Sequence, residues 1–443
     1  MASSQFSLFS LSLFFLISLT SSQTPIPPNA LVLPISKHAS THQYLTLISQ
    51  RTPLVPINLV IDLSGPFLWV SCNSSYNSSS YRSAQCHSPL CSLVHGNKPC
   101  KHCISSNTPK CSNNDKCIVY SKNVFTSKVS AGYLSEDVLS LQSTDGLNPN
   151  SMVSVPKFHF LCAPELLSEG LASGAKGIAG LGLGRLGLPA QLMAEFNISR
   201  KFAMCLSPTT GSYGVMFIGD GPYVLFPGID VSKLLIYTPL IVKAKNTDTI
   251  TYSSEYSDPY SSYEYYIRIK SLRVNAKLVP LNSSLLVIEN KGVGGTKIST
   301  VNPYTVMESS IYTSLTKIFI EEAIASNVTR VAPIAPFDVC FSTKDSSGGL
   351  ARPALPVIDL ILQNSEVFWR IFETNSMVPM GKDVACLGFL DGGLNPSASI
   401  VLGGYQLEDN LLQFDLVSSR LGFTSSLFLR ETSCDGFNFT SNV

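Results

Sequence analysis

The chain contains little charge: only 14% of its 443 residues are Asp, Glu, Lys or Arg, and the formal net charge is +1. Such a balance gives no reason to expect a nucleic acid or a membrane surface as partner. Histidine is also scarce, and all six histidines lie within the first 160 residues. A serine nucleophile in the second half would therefore lack a nearby histidine base.

After residue 22 the sequence lacks any apolar run long enough to cross a bilayer. Residues 1–22 predict a secretory signal peptide, because the apolar run Phe6–Leu19 is followed by the small residues of Thr20–Ser22. A transmembrane anchor is the alternative, but the run is short for a span. We therefore expect a protein secreted to the extracellular space.

Twelve cysteines agree with secretion, because an even number in an oxidising compartment predicts disulfides. They are Cys72, Cys86, Cys91, Cys100, Cys103, Cys111, Cys117, Cys162, Cys205, Cys340, Cys386 and Cys434. The run Cys100–Cys103, with His87, His95 and His102 nearby, would also suit zinc. A secreted chain favours disulfides over this alternative, so we expect neither a metal nor another cofactor.

Six Asn-x-Ser/Thr sequons predict N-linked glycans on a secreted chain. They begin at Asn73, Asn77, Asn197, Asn282, Asn327 and Asn438.

A low charge combined with many Ser, Thr, Val, Tyr, Gly and Pro residues predicts an all-β fold. A chain of this length is too long for one compact core, so two lobes are expected. We predict a loose, Pro-rich N-terminal arm over 23–40, an N-terminal lobe over 41–225 with a Cys-rich insertion at 72–117, and a C-terminal lobe over 226–443.

Local patterns predict a few helices among many strands. Apolar residues at helical spacing predict a helix over 309–325, and a second helix is expected over 188–196. Strand patterns include 265–274 and 277–287.

Each half also contains a strand and loop followed much later by an apolar-Gly run, at 177–184 and 399–404. Glycine in such a run indicates close backbone approach within a sheet. A phosphate-binding loop is the alternative for 177–184, but no Lys-Ser/Thr follows it.

The most informative stretch surrounds Asp62. The apolar strand Leu59–Ile61 leads to this carboxylate, and the turn Ser64–Pro66 leads into a second apolar strand over Phe67–Val70. Pepsin-like aspartic peptidases present a catalytic Asp in this way, within an Asp-Thr/Ser-Gly motif. Leu63 and Ser64 replace the last two residues of that motif here, and an Asp at the end of any strand is the general alternative.

The second half identifies the branch that the chain resembles. Gly404–Leu416 and Arg420–Phe423 resemble the C-terminal signature of plant pepsin-like proteins. With Gly295–Ser299, Asn302–Thr305 and the cysteine layout, the chain is similar to extracellular dermal glycoproteins, basic seven-S globulins and TAXI-type xylanase inhibitors. The resemblance implies a two-lobed, all-β pepsin-like fold. It also implies the disulfides Cys205–Cys434 and Cys340–Cys386, and leaves the other eight cysteines unassigned.

The same resemblance implies a catalytically inactive chain. Asp62 matches the first Asp of the peptidase dyad, whereas the second falls on Ser299, followed by Thr300 and Val301. The dyad needs two carboxylates that share a proton, and a serine hydroxyl cannot replace one. The flap also departs from the family, since Tyr120 is followed by Ser-Lys-Asn rather than by Gly-Asp-Gly. Asp62 and Ser299 are therefore expected to be vestigial dyad positions.

The function implied by the resemblance is inhibition of secreted microbial glycoside hydrolases in the plant apoplast. Endoglucanases or xyloglucanases are the expected targets; the absence of His, Arg or Lys from the loop 391–399 counts against a xylanase. Within this loop, Leu394, Asn395 and Ser397 are candidate inhibitory contacts. The alternatives are a weakly active aspartic endopeptidase and a storage or peptide-binding globulin.

Two arginines near this region are further candidate contacts with a target enzyme. They are Arg330 and Arg352, the latter in the Gly-rich loop 344–353. A cation would suit a glycosidase cleft, which contains paired carboxylates. The alternative for each is a solvated surface charge.

Overall fold

The computed structural model describes residues 28–73, 75–86, 88–95, 116–241, 263–289, 293–344 and 354–440. The predicted signal peptide, the residues Cys100, Cys103 and Cys111, and the candidate Arg352 lie outside these ranges. Within the described residues, no helix combines the length and the apolar character that a membrane span requires.

Strands dominate the first half of the chain. They are β1 (Ala30–Lys37), β2 (Tyr44–Gln50), β3 (Val55–Asp62), β4 (Trp69–Ser71), β5 (Arg82–Ser83), β6 (Ile118–Lys122), β7 (Val129–Thr144), β8 (Pro149–Ala163), β9 (Ala175–Gly180), β10 (Lys201–Cys205), β11 (Tyr213–Ile218), β12 (Val224–Leu225) and β13 (Ile229–Asp230).

The second half is also built mainly from strands. They are β14 (Ile236–Ile241), β15 (Tyr266–Ile267), β16 (Ser271–Val274), β17 (Lys277–Leu278), β18 (Thr296–Ile298), β19 (Thr305–Met307), β20 (Arg330–Val331), β21 (Cys340–Ser342), β22 (Ile358–Ile361), β23 (Phe368–Ile371), β24 (Met377–Pro379), β25 (Val384–Leu387), β26 (Phe389–Asp391), β27 (Ile400–Leu402), β28 (Leu411–Asp415) and β29 (Arg420–Phe423).

Helices are short with one exception. They are α1 (Pro89–His95), α2 (Leu188–Glu195), α3 (Ser309–Ala325), α4 (Glu373–Ser376) and α5 (Gly404–Leu407), with 3-10 turns at Glu165–Ser168, Val231–Leu234, Ser283–Leu286 and Phe428–Arg430.

A central antiparallel sheet joins the two halves of the chain. Its strand order is β1, β11, β10, β28, β29 and β14, with three strands from each half. The junction is the pairing of β10 with β28, which runs from Lys201 opposite Asp415 to Cys205 opposite Leu411. This two-lobed, all-β pepsin-like fold confirms the predicted fold class.

The predicted loose arm over 23–40 was wrong for the part that forms β1. Leu31 and Leu33 pack into the main core on one face of the sheet, while Val32 packs into a second core on the other face. Both faces of this strand are therefore buried, and β1 pairs with β11, β2 and β7. The neighbouring prolines made this segment resemble a loose arm in sequence. Its apolar residues instead belong to a strand that is buried on both faces of the sheet.

The two predicted helices agree with α2 and α3. In α3, Ile311, Leu315, Phe319 and Ala323 are buried along one face, as their spacing predicted. The strand predicted over 265–274 is instead divided into β15 and β16.

The strand prediction for 277–287 was wrong beyond β17. Ser283–Leu286 forms a 3-10 turn in this region. The Asn282 side chain caps the turn by accepting a hydrogen bond from the Ser284 amide. An apolar run in a capped turn thus resembles a strand in sequence.

Four disulfides are defined by the described cysteines. Cys205–Cys434 and Cys340–Cys386 are the two pairs implied by the resemblance. The other two, which the sequence left unassigned, are Cys72–Cys162 and Cys91–Cys117.

One group of possible metal ligands lies in the Cys-rich insertion. The ligand atoms of Cys91, His95 and Cys117 lie within 4.8 Å of one another. The two cysteines are joined in a disulfide, so they offer no thiolate to a metal. His95 Nε2 donates a hydrogen bond to the Ile118 carbonyl, at 2.9 Å.

All six sequon asparagines are exposed to solvent, which is a requirement for glycan attachment. Their use stays a prediction.

Cys205–Cys434 should stabilise the fold more than Cys340–Cys386, because it closes the longer loop, with a sequence separation of 229 against 46 residues. Replacing both cysteines of a pair by Ala should lower the free energy of unfolding by about 5 kcal/mol for the first and about 4 kcal/mol for the second. Guanidinium denaturation of the two double variants measures the difference. An equal or smaller loss for Cys205 and Cys434 would contradict this ranking.

Candidate functional site

Asp62 lies at the C-terminal end of β3, which pairs in parallel with β9. Gly180 is opposite Asp62 in this pairing. A Cβ added at Gly180 would lie 2.3 Å from the Phe67 carbonyl oxygen and 2.5 Å from that of Gly65. The sequence therefore requires glycine here so that the loop after Asp62 can lie against β9.

Ser299 occupies the equivalent place in the second half. It follows β18, which pairs in parallel with β27 as β3 does with β9. The Ser299 amide donates a hydrogen bond to the Leu402 carbonyl at 2.9 Å, and on the other side the Leu181 amide donates to the Asp62 carbonyl at 2.8 Å. The two dyad positions thus lie on matching scaffolds, one from each half.

One hydroxyl group holds the two loops together. Thr300 Oγ1 donates a hydrogen bond to the Ile61 carbonyl at 2.8 Å and accepts one from the Leu63 amide at 3.2 Å. The matching position on the opposite loop is Leu63, whose side chain is fully buried in the main core and has no hydroxyl to return these bonds. The polar contact between the loops is therefore made from one side only.

The Ser299 hydroxyl is engaged within its own turn. Its Oγ donates to Asn302 Oδ1 at 2.9 Å and accepts from the amides of Val301 and Asn302 at 3.2 and 3.3 Å. Within the described residues no hydrogen bond links Ser299 to Asp62. Asn302 was not predicted as the partner of Ser299, although Ser and Asn side chains often make local hydrogen bonds in turns.

Asp62 is the one carboxylate at the two dyad positions, and its side chain is buried. Its Oδ1 accepts a hydrogen bond from the Ser64 amide at 2.8 Å. Burial raises the pKa of Asp62 to about 6, against the opposing effects of that amide and of the Lys297 cation.

Lys297 and Glu264 form an ion pair near Asp62 that the sequence did not reveal. Lys297 Nζ lies 2.7 Å from Glu264 Oε1, and the Tyr266 hydroxyl donates to Glu264 Oε2 at 2.7 Å. The Lys297 charge lowers the pKa of Asp62, while the Glu264 charge raises it. The two charges of the pair therefore act on the pKa of Asp62 in opposite directions.

The flap is the hairpin formed by β6 and β7. Asn123, at the start of its turn, is fully buried. Its Nδ2 donates to the carbonyls of Leu167 and Glu169 at 2.8 and 2.6 Å, and its Oδ1 accepts from two amides of its own turn. The asparagine that replaces the last Gly of the usual flap motif thus attaches the hairpin to the segment beside it.

Comparison with known proteins assigns the family. Residues 44–220 match the family described as xylanase inhibitor N-terminal, and residues 264–425 match the one described as xylanase inhibitor C-terminal. The chain belongs to the xylanase inhibitor family. The resemblance seen in the sequence is therefore confirmed.

Similar proteins include one named as an aspartic proteinase and one named as a gamma conglutin. A protein named probable aspartic proteinase GIP2, from Nicotiana benthamiana, is 51% identical over 97% of this chain and 97% of its own length. Gamma conglutin 1 from Prunus dulcis is 42% identical over 97% of this chain and 95% of its own length.

Solved structures share the whole fold of this xylanase inhibitor family member. The crystal structure of edgp superposes with a TM-score of 0.86 at 49% identity, covering 94% of this chain and 99% of that one. The basic 7S globulin from soybean superposes with a TM-score of 0.76 at 34% identity, covering 93% and 100%.

The loop 391–399 of this family member is held at both ends. Asp391 Oδ1 accepts hydrogen bonds from Ser309 Oγ at 2.6 Å and from the Gly393 amide at 2.9 Å. At the other end the Ser397 carbonyl accepts from the Gly294 amide at 3.1 Å. These contacts fix the loop on the start of α3 and on the segment before β18.

The tip of this loop projects into solvent. Leu394 is 76% exposed, and Asn395 and Ser397 are also exposed. Asn395 has a φ of 58°, a left-handed conformation that Asn adopts more readily than most residues. The three candidate contact residues therefore lie on one exposed turn.

Arg330 is the exposed first residue of β20, which pairs with β21. Its charge lowers the pKa of Tyr312, whereas burial, Asp338 and Asp391 raise it. The Tyr312 hydroxyl donates a hydrogen bond to Asp338 Oδ2 at 3.0 Å. A role of Arg330 in binding stays a prediction, and Arg352 lies outside the described residues.

Asp62 should make stability depend on pH. Because its pKa is raised on folding, the protonated form is favoured in the folded chain, and the stability present below about pH 4 is lost as the pH rises through about 6. The variant Asp62→Asn removes this loss, so its stability relative to the parent protein should increase between pH 4 and 7 by about 3 kcal/mol.

Urea denaturation of the parent protein and of Asp62→Asn across this pH range measures the effect, with the exposed Asp383→Asn as control. A stability difference between Asp62→Asn and the parent that does not change with pH would contradict the burial of a raised-pKa carboxyl group.

Proposed function

We propose that this chain is a secreted, catalytically inactive aspartic-peptidase homologue that inhibits a microbial cell-wall glycoside hydrolase in the apoplast. The observation that carries the proposal is the anchored loop 391–399, whose apolar tip at Leu394 projects from a rigid scaffold. Family membership supports a role as inhibitor, and the altered dyad supports a role without catalysis.

The dyad supports inactivity through the bonding of Ser299. An aspartic peptidase holds a water between two carboxyl groups that exchange one proton. Here the Ser299 hydroxyl is occupied by Asn302 and by two amides, and Asp62 would have to act alone. Loss of one member of a cooperating catalytic unit typically removes several orders of magnitude of rate.

The loop supports inhibition because it is ordered before binding. Hydrogen bonds at both ends reduce the conformational entropy that the loop would lose in a complex. Leu394 offers an apolar contact, and the Asn395 side chain can donate hydrogen bonds to the paired carboxylates of a glycosidase cleft. The loop has no cation of its own, which counts against a xylanase as the target.

Replacing Leu394 by Ala should weaken inhibition of a susceptible endoglucanase or xyloglucanase by about 2 kcal/mol, which is roughly thirtyfold in the inhibition constant. The physical reason is the loss of an apolar anchor from the centre of the contact. Titration of hydrolase activity with the parent protein and with the variant measures the change.

Val417→Ala is the matched control, because Val417 is also exposed, at 66%, but lies in the turn between β28 and β29. Arg330→Ala and Arg352→Ala test the two cationic candidates in the same assay. If Leu394→Ala inhibits fully and Asp62→Asn does not inhibit, the inhibitory site is the former catalytic cleft and not the loop 391–399.

The purified protein should show no pepstatin-sensitive proteolysis between about pH 3 and 6, because the shared-proton mechanism needs a second carboxyl group. A denatured protein substrate and mass spectrometry of the products provide the measurement. Cleavage that disappears in Asp62→Asn would instead support the alternative of a weakly active endopeptidase.

A further inference from the structure

A pocket of about 350 Å³ lies where the N-terminal and C-terminal halves meet, and neither the former dyad nor the loop 391–399 lines it. Lys37, His42 and Tyr44 contribute from the first half, and Tyr304, Tyr405 and Glu408 from the second. Its volume is within the range of small-molecule sites in proteins. The function proposed above makes no use of this pocket.

The charged residues of the pocket neutralise each other. Lys37 Nζ lies 2.6 Å from Glu408 Oε1, and their side chains are only 9% and 2% exposed. The Tyr44 hydroxyl donates to the same carboxylate oxygen at 2.6 Å. His42, the other titratable cation of the lining, has a pKa lowered by burial and by the nearby Lys37 charge. The pocket therefore has no net charge with which to attract an ion.

Two partly exposed aromatic rings form a corner of the pocket. The rings of Tyr304 and Tyr405 are 5.9 Å apart and are inclined at 57° to each other. Phe337 packs edge-on against Tyr304 at 4.8 Å, which fixes this ring in place. The imidazole of His42 is 6.1 Å from the Tyr304 ring between centroids and inclined to it at 54°.

Two polar groups in this corner have no hydrogen-bond partner in the described part of the protein. They are the Tyr304 hydroxyl and the imidazole of His42. The Tyr405 hydroxyl, in contrast, donates to the Met377 carbonyl at 2.6 Å. His42 has a φ of 55°, an uncommon conformation for a residue other than glycine. The position of the imidazole beside the tyrosine corner is given by its 6.1 Å distance from the Tyr304 ring.

From this arrangement we propose that the pocket binds a neutral sugar, with one pyranose ring against Tyr304 and Tyr405. Aromatic faces cover the C–H faces of the ring, while the Tyr304 hydroxyl and the His42 imidazole bond to its hydroxyl groups. The neutral Lys37–Glu408 pair gives no advantage to a charged ligand. A second pocket of about 490 Å³ shares Pro208, Thr374, Pro379 and Tyr405 with the first, so a linked sugar can continue into it.

The ring geometry favours a sugar over a proline-rich peptide, which is the other ligand class that aromatic grooves bind. An extended proline-rich peptide repeats about every 9 Å and fits a row of separate aromatic ridges. The corner made by Tyr304 and Tyr405 encloses a single ring instead.

The test uses the full secreted protein with cellobiose and cellotetraose as probes, followed by saturation-transfer NMR and calorimetry. Both probes should bind, and Tyr304→Ala should weaken binding about tenfold, because it removes a stacking face. Tyr304→Phe keeps the packing and removes only the hydroxyl, so it should give a smaller but measurable loss. Tyr213→Ala, an exposed tyrosine on β11, should leave binding unchanged.

Thermal melting of each variant checks that the fold is kept, and Tyr304→Phe decides the question if Tyr304→Ala does not fold. Absence of binding by both sugars at millimolar concentration would overturn the proposal. So would sugar binding that neither Tyr304 variant changes, or Tyr304-dependent binding of a hexaproline peptide in place of the sugars.

Discussion

The backbone pairing of β10 with β28 is the constraint on which the rest of the molecule depends. These strands come from opposite halves of the chain, and they join two three-stranded sets into one sheet with apolar residues on both faces. The sheet positions the two lobes, and the lobes position the loops that carry Asp62 and Ser299. Since ladder bonds depend little on side-chain identity, this framework tolerates changes at the dyad itself.

The two halves keep matching backbone pairings at the two dyad positions, while the side chains there differ. Thr300 keeps its hydrogen bonds to the opposite loop, whereas Leu63 replaces a polar contact by burial in the main core. Ser299 stabilises its own turn through Asn302. Each substitution is consistent with a stable loop, and none preserves the pair of acids that hydrolysis needs.

Much of the fold and part of the candidate site could be predicted from sequence, because periodic patterns and fixed motifs are local signals. The spacing in 309–325 predicted α3, and the run 177–184 predicted close backbone approach at Gly180. The strand β1 was missed, because its burial depends on β11, which lies far away in sequence. The Lys297–Glu264 pair and the corner of Tyr304 and Tyr405 were missed for the same reason: their partners meet only in the folded chain.

The burial of Asn123 has a consequence for how such proteins could change their targets. In many enzymes a lid closes over the ligand and adapts to it. In the β6–β7 hairpin, Asn123 instead donates two hydrogen bonds to the neighbouring segment and accepts two from amides of its own turn. These bonds restrict the motion by which the hairpin could adapt to a partner of different shape. Adaptation to a new partner at this face would therefore proceed by replacement of surface side chains, one contact at a time.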